Sequence, residues 1–361
     1  SDMAQMTGFD DGEEETVINL TVKPGMKQGW FGNAYGGYGS KDRYEGNAMV
    51  NRFVNNDQIT FMGGANNTNN MGFSDLASTM FSGMGGGGGR RGGFGAGSGI
   101  TSSGNAGLNF SKEFKPDKLT LGGNTRYSHS DNDARSKSDR QNILPGDSSS
   151  YDNSEAMSRT KSDNFGVDFR LEWKPDTMTQ LIFRPSFSLS HSMNDNFSDA
   201  TTLDNERDTV NTNKSNNYSE SNGYNLNASI DFSRKLNNKG RVFSATLSGG
   251  NSDSYSDGMN RSDIVYFNQT DALKNSIIDQ RSRYDNKGFN YRAYVSWVEP
   301  IGHNNFIQAT YSISQRKQEA LKNVYNQDAD GIYNVLDSAY SQSYRNNFIS
   351  QRASLSFKSQ R

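Results

Sequence analysis

The 361-residue sequence has no cysteine, few prolines (6) and histidines (3), and no long hydrophobic run. The absence of cysteine excludes disulfide frameworks, thiolate metal sites and cysteine nucleophiles. The absence of any run of about 20 apolar residues excludes a transmembrane helix. Lysine and arginine (38) nearly balance aspartate and glutamate (40). The net charge of -2 therefore argues against a general binder of polyanions such as nucleic acids.

The residues that are present combine high polarity with many aromatic side chains. Hydrophobic residues make up 32% of the chain, and the mean hydropathy is -0.87. Aromatic residues nevertheless reach 11%, with 21 Phe and 17 Tyr, which is too many for a disordered chain. This combination fits two classes of protein, an extracellular β-rich protein and a β-barrel of an outer membrane.

Several segments alternate strictly between apolar and polar residues, the pattern of a strand with one apolar face. In 165–173 the odd positions are apolar, and the even positions are Gly, Asp, Arg and Glu. The same alternation occurs at 181–189, 224–232, 289–297, 307–313 and 349–357. Most of these runs have about nine residues, close to the roughly 9–11 that a tilted strand needs to cross a bilayer.

Weaker alternation predicts further strands at 29–39, 43–54, 58–67, 104–114, 118–128 and 242–251, which makes about twelve in all. Tight turns between strands alternate with long polar segments at 68–103, 129–163, 191–222, 252–288 and 315–347. Short turns at one end and long loops at the other are typical of outer-membrane barrels. The predicted fold is therefore all-β, an antiparallel transmembrane β-barrel with short periplasmic turns and these five segments as extracellular loops. A soluble β-sandwich would show the same alternation but would have long loops at both ends.

The three tryptophans lie at the short-turn ends of their strands and in phase with the apolar residues. They are Trp30, Trp173 and Trp297. Tryptophans at a common height are expected in the aromatic girdle of a membrane protein.

Charged residues occupy mid-strand positions on the opposite, polar phase. The candidates for a lumen-facing set are Arg126, Asp168, Arg170, Arg184, Arg292 and Arg352. A dry protein core would not tolerate these charges unpaired. A wide, water-filled lumen would accept them and could also seat a polar plug.

The N-terminal part carries a family resemblance. The segment 16–25, TVINLTVKPG, leads directly into 29–33, GWFGN. This order resembles the last plug strand and first barrel strand of Bacteroidota outer-membrane β-barrel proteins of the TonB-dependent receptor type. Residues 333–338 and 344–347 are similar to loop-to-strand entries in that family. The resemblance implies that 1–27 is the end of a plug domain and that 28–361 is about half of a barrel of about 22 strands.

The resemblance also implies a function, a location and partners. The function is import of a nutrient across the cell outer membrane of a Gram-negative bacterium. The implied partners are outer-membrane lipid, an unknown nutrient ligand, and a TonB-type energy-coupling protein that binds through a missing N-terminal region. A surface lipoprotein or other chains would close the barrel. In this interpretation the exit of the plug packs against lumen charges such as Arg52 or Arg126. The alternative is a non-transporting surface β-protein, either an adhesin or a glycan-binding module.

The sequence gives little reason to expect an enzyme or a cofactor. No catalytic motif of recognised spacing occurs, and the three histidines are scattered. The one candidate cofactor is calcium. Its candidate ligands are Asn326, Asp328, Asp330 and Asp337, whose spacing, with Gly331, resembles that of a calcium loop. The alternative for this segment is an Asp-Gly turn with solvated acidic side chains.

Overall fold

The computed structural model describes residues 28–69, 99–143, 149–267, 275–302 and 305–359. The predicted end of the plug, 1–27, and most of the predicted loop 68–103 lie outside these ranges. Within them, no helix is long and apolar enough to cross a membrane.

The regular elements in the described ranges are thirteen β-strands. They are β1 (Gln28–Gly39), β2 (Arg43–Val54), β3 (Asp57–Asn66), β4 (Ile100–Lys115), β5 (Leu119–Asn142), β6 (Ser150–Asp176), β7 (Thr179–Leu203), β8 (Thr209–Lys235), β9 (Val242–Tyr266), β10 (Asn275–Pro300), β11 (Asn305–Gln327), β12 (Tyr333–Leu336) and β13 (Gln342–Ser359). The predicted all-β class is therefore confirmed.

The strands form one antiparallel sheet in which neighbours in sequence are neighbours in space from β1 to β12. β12 and β13 both pair with β11, and they lie end to end along its free edge. Five residues, 337–341, are looped out between them. Within the described ranges the sheet does not close, because β1 pairs only with β2 and β13 only with β11.

The short turns form where a residue adopts a positive φ angle or where a side chain accepts the backbone N–H groups of the turn. Asn55 and Asp117 adopt φ of 57° and 58°, a region that Asn and Asp tolerate better than most residues. In the β6–β7 turn, the Asp176 carboxylate accepts the backbone N–H of Met178 at 2.8 Å. In the β8–β9 turn, the Asn237 side-chain oxygen accepts two backbone N–H groups at 2.9 Å. These Asn and Asp residues therefore fix the hairpin registers at this end of the sheet.

The strands extend into four of the predicted extracellular loops. Most of 129–163, 191–222, 252–288 and 315–347 is paired strand, and β6 and β8 reach 27 residues each. The sequence pattern does not show these extensions, since alternation in hydrophobicity disappears where both faces of a strand are polar. The backbone pairing continues there, supported by ion pairs such as Arg159–Asp131 at 2.8 Å. The extracellular location of the four segments stays a prediction.

Candidate lipid-facing band and polar lining

The two faces of the sheet differ in both chemistry and burial. We call the face that carries Phe169, Ile230 and Leu247 the apolar face, and the opposite one the polar face. The large apolar-face residues are exposed or half-exposed, with 40% of Phe169 and 56% of Leu247 accessible. The best-covered side chains are on the polar face; they are Asn51, Thr60, Asn124, Ser244 and Ser296, together with the apolar Met62, Ile182 and Val298. An exposed apolar face beside a covered polar one is the reverse of what a soluble protein shows.

The exposed apolar residues form a band of constant width. On five strands it covers nine positions, at 119–127, 165–173, 181–189, 224–232 and 289–297. Cross-strand pairing keeps these segments in line, as in Leu119↔Trp173 and Trp173↔Leu181. A strand that is tilted by about 45° needs roughly 9–11 residues to cross a bilayer. The nine positions of the band are at the lower end of that range.

All three tryptophans lie on the apolar face, at the border of the band nearest the short turns. Trp297 pairs in register with Phe243, and its indole N–H donates to Glu299 at 3.0 Å. The Trp30 ring lies 5.5 Å from the guanidinium carbon of Arg52. Arg52 is therefore on the apolar face, and its predicted place among the lumen charges is wrong. The aromatic-girdle role of the tryptophans stays a prediction.

The other border of the band is marked by a change from apolar to ionisable side chains on the same face. The successive residue pairs across it are Tyr127/His129, Phe165/Asp163, Leu189/His191 and Phe289/Lys287. At this border Asp163 accepts a hydrogen bond from the Tyr127 hydroxyl at 2.6 Å and lies 2.8 Å from Nδ1 of His129. This border was not predicted, because His129 and His191 begin segments that the sequence pattern predicts as loops.

The six candidate lumen residues all lie on the polar face, and the structure joins some of them in pairs. Arg126 binds Asp168 at 3.1 Å, and Asn124 donates to the same carboxylate at 2.6 Å. Arg170 contacts Glu172 at 3.4 Å. Arg292 lies between Ser248 and Ser314, and Arg352 lies opposite Ser312. Neither of these last two arginines forms a salt bridge with another described residue. That this face lines a lumen stays a prediction.

Among the described ion pairs of the polar face, Arg184–Asp231 has the least exposed side chains. The Asp231 side chain is 10% exposed and accepts hydrogen bonds from Arg184 and, at 2.7 Å, from the Thr246 hydroxyl. The two strands that carry the pair, β7 and β8, are adjacent. A covered carboxylate of this kind needs its partners, since an unpaired buried charge is costly.

The candidate calcium segment forms the tip of the β11–β12 hairpin. The Asp328 carboxylate accepts backbone N–H groups of Asp330 and Ile332 at 3.0 and 2.9 Å. The hydrogen bond from Ile332 is the largest cause that lowers the Asp328 pKa. Asp337 instead accepts side-chain amides of Gln280 and Asn326 at 3.2 and 3.0 Å. Among the described side chains, no group of three or more His, Cys, Asp or Glu is placed to hold a metal. The geometry is that of an Asp-capped turn, and calcium binding stays a prediction.

Comparison with known proteins gives likenesses to solved structures. No protein-family model and no curated protein sequence matches the chain. Among solved structures, the chain is similar to the open form of the ferric-catecholate import receptor Fiu from E. coli K12. The TM-score is 0.35 and the sequence identity is 10%, over 93% of this chain and 62% of that one. The chain thus spans less than two thirds of the length of the receptor that it resembles.

Proposed function

We propose that the chain is part of an outer-membrane β-barrel of the TonB-dependent receptor type, which imports a nutrient into a Gram-negative cell. The observation that carries this proposal is the inversion of the two faces. A contiguous exposed apolar surface of this size is unfavourable in water. It is favourable when lipid chains cover it.

The geometry supports each part of the proposed barrel. The apolar band has about as many residues as a tilted strand needs to cross a bilayer, and tryptophans lie along one of its borders. The polar face carries arginine and carboxylate pairs at the level of the band, as a water-filled lumen would. The proposal assigns no enzymatic activity to the chain.

The membrane part of the proposal can be tested by single-cysteine labelling, because the chain has no cysteine of its own. Leu226→Cys would place a thiol on the apolar face, and the neighbouring Asn227→Cys would place one on the polar face of the same strand. In vesicles that contain the product of the whole gene, brominated lipid should quench a fluorophore on Cys at position 226 and leave one at 227 bright. A water-soluble maleimide should label only the 227 variant. Equal quenching and equal labelling of the 226 and 227 variants would contradict the assignment of the apolar face to the membrane.

The transport part needs a separate experiment on cells that carry the whole gene. Deleting the inner-membrane energy-coupling protein should leave ligand binding at the cell surface intact and abolish uptake. Uptake that continues without that protein would contradict the receptor type while leaving the barrel in place.

A further inference from the structure

Beyond the band, away from the short turns, strands β5–β10 continue as paired hairpins whose two faces differ in charge. We call these parts the distal hairpins; they are residues 128–142, 150–164, 190–203, 209–223, 252–266 and 275–288. Ionic residues concentrate on the face that continues the apolar band. There Lys137 binds Glu155 at 3.1 Å, and Arg281 binds Asp257.

The opposite face of the distal hairpins, which continues the polar face, is almost free of charge. On β8 its residues from 223 back to 211 are Gly, Ser, Ser, Asn, Ser, Asn and Asn. On β9 the residues from 252 to 262 are Ser, Ser, Ser, Gly, Asn and Ser. We call this the neutral surface. Its only ions are Arg140 and Asp152, next to the β5–β6 tip.

A row of exposed amides crosses the neutral surface. Asn196, Asn217 and Asn260 are register partners on β7, β8 and β9. Adjacent strands place them about 4.8 Å apart. All three are exposed, and none of their side-chain amides makes a hydrogen bond to another described residue. Each amide therefore offers two donors and a carbonyl acceptor to a ligand.

An exposed aromatic ring adds an apolar contact to the same surface. Tyr284 on β10 lies on the neutral side in register with Ser256, four residues along the strand from Gln280, the register partner of Asn260, and 42% of it is accessible. A tyrosine ring offers a flat apolar face beside a hydroxyl group. Such a face suits the C–H surface of a sugar ring.

We propose that the neutral surface binds an uncharged oligosaccharide that runs across the strands over Asn196, Asn217 and Asn260. This rests on the proposed function, because it makes the neutral surface the ligand-facing part of the barrel. Sugar hydroxyls pair with amides and serine hydroxyls. A charged ligand would meet no counter-ion on most of this surface. A pyranose unit is about as long as the strand spacing, whereas an extended peptide advances about 3.3 Å per residue.

The experiment measures binding of uncharged hexasaccharides by isothermal titration calorimetry to the product of the whole gene, purified in detergent as a closed barrel. The probes are maltohexaose, cellohexaose, xylohexaose, mannohexaose and laminarihexaose. Asn217→Leu keeps the shape of the side chain and removes its hydrogen bonds, so the affinity for the bound sugar should fall about tenfold. Asn216→Leu is the matched control on the reverse face of the same strand and should change affinity by less than about twofold.

Several outcomes would overturn this proposal. They are no binding of any of the five sugars, equal loss in both variants, and tighter binding of a sulfated heparin hexasaccharide. Tighter binding of a neutral Ser/Asn hexapeptide would assign the surface to peptides instead. The lipid-quenching result at position 226 is independent of all these outcomes, so failure of sugar binding and failure of the barrel are distinguishable.

Discussion

A single residue on this sheet has different tolerance for charge according to the face that it occupies. Ile230 is 40% exposed and lies between Phe183 and Leu247 on the apolar face. Ile230→Arg should lower the free energy of unfolding by about 2–4 kcal/mol in lipid, because a guanidinium there replaces a lipid-facing side chain. Asn225→Arg, on the polar face of the same strand, should change it by less than about 0.5 kcal/mol. Urea titration in vesicles measures both, and equal losses would contradict the assignment of the faces.

The ion pairs of the polar face should also differ in how much they contribute to the free energy of unfolding, because they differ in solvent exposure. The Arg126 side chain is 53% exposed, whereas that of Arg184 is 16% exposed. Arg126→Met should therefore cost less than about 1 kcal/mol. Arg184→Met should cost about 3–5 kcal/mol, because it leaves the covered Asp231 carboxylate without its guanidinium partner.

A double variant distinguishes the cost of leaving Asp231 without its ion-pair partner from the cost of losing the packing of the Arg184 side chain. Arg184→Met combined with Asp231→Leu removes both charges and should recover most of the stability lost in Arg184→Met. The free energies of unfolding of the four proteins complete the cycle. If the double variant is as unstable as the sum of the single ones, the carboxylate is not the source of the cost.

At the scale of the strand, packing across β5 depends on one glycine. Phe110 on β4 and Phe169 on β6 make an edge-on contact with centroids 6.3 Å apart, and Gly123 lies between them in register. A Cβ at position 123 would come within 2.6 Å of the Phe169 ring and 3.1 Å of the Asp168 backbone oxygen. Gly123→Ala should therefore cost about 1–3 kcal/mol through overpacking. Gly104→Ala, whose Cβ would meet nothing closer than 3.9 Å, should be neutral or stabilising. Similar losses of unfolding free energy for the two variants would rule out this packing role.

The distal hairpins should open in acid before the band does. Hydrogen bonds from Arg159 and Arg281 are the largest causes that lower the pKa values of Asp131 and Asp257. A carboxylate with a lowered folded-state pKa stabilises the fold above its unfolded value, about 3.9, and this contribution disappears as the pH falls through the folded-state pKa. Amide hydrogen exchange should therefore show loss of protection in the distal hairpins below about pH 4. Asp131→Asn should weaken this dependence locally, and loss of protection first in the band would contradict the prediction.

Strand segments with one apolar face were predictable from the sequence, and segments that are polar on both faces were not. β2 lies at its predicted bounds, 43–54. The strand predicted at 224–232 instead begins at Thr209. Its first part was not predicted, because mostly serine, asparagine and charged residues occupy both faces before Tyr224. Arg52 was misplaced because it occupies the apolar phase at the border of the band, where a long cationic side chain can reach the headgroups. The neutral surface was not predictable from the sequence, because only the pairing register shows that the uncharged residues of neighbouring strands lie on one face.

On the scale of the whole molecule, the sheet leaves two strands with unpaired edges. β1 is exposed at every position, and β13 is exposed at nearly every position in the described range. In a bilayer, each unsatisfied backbone group along such an edge costs several kcal/mol. Within the described ranges both edges therefore need a pairing partner before the sheet can lie stably in lipid.

This requirement predicts how the chain behaves when it is refolded alone. We expect it to associate through its edges and to give no heat-modifiable, protease-protected monomer in detergent gels. Cysteines at Ala34 and Ala353, on the apolar face of β1 and β13, report on the contact in a background without other cysteines. A short bis-maleimide should join them between molecules and yield dimers and larger species, and single-cysteine variants are the controls. Cross-links confined to one molecule, in a monomer that migrates differently before and after boiling, would instead show that β1 meets β13 and that these strands close a smaller barrel by themselves.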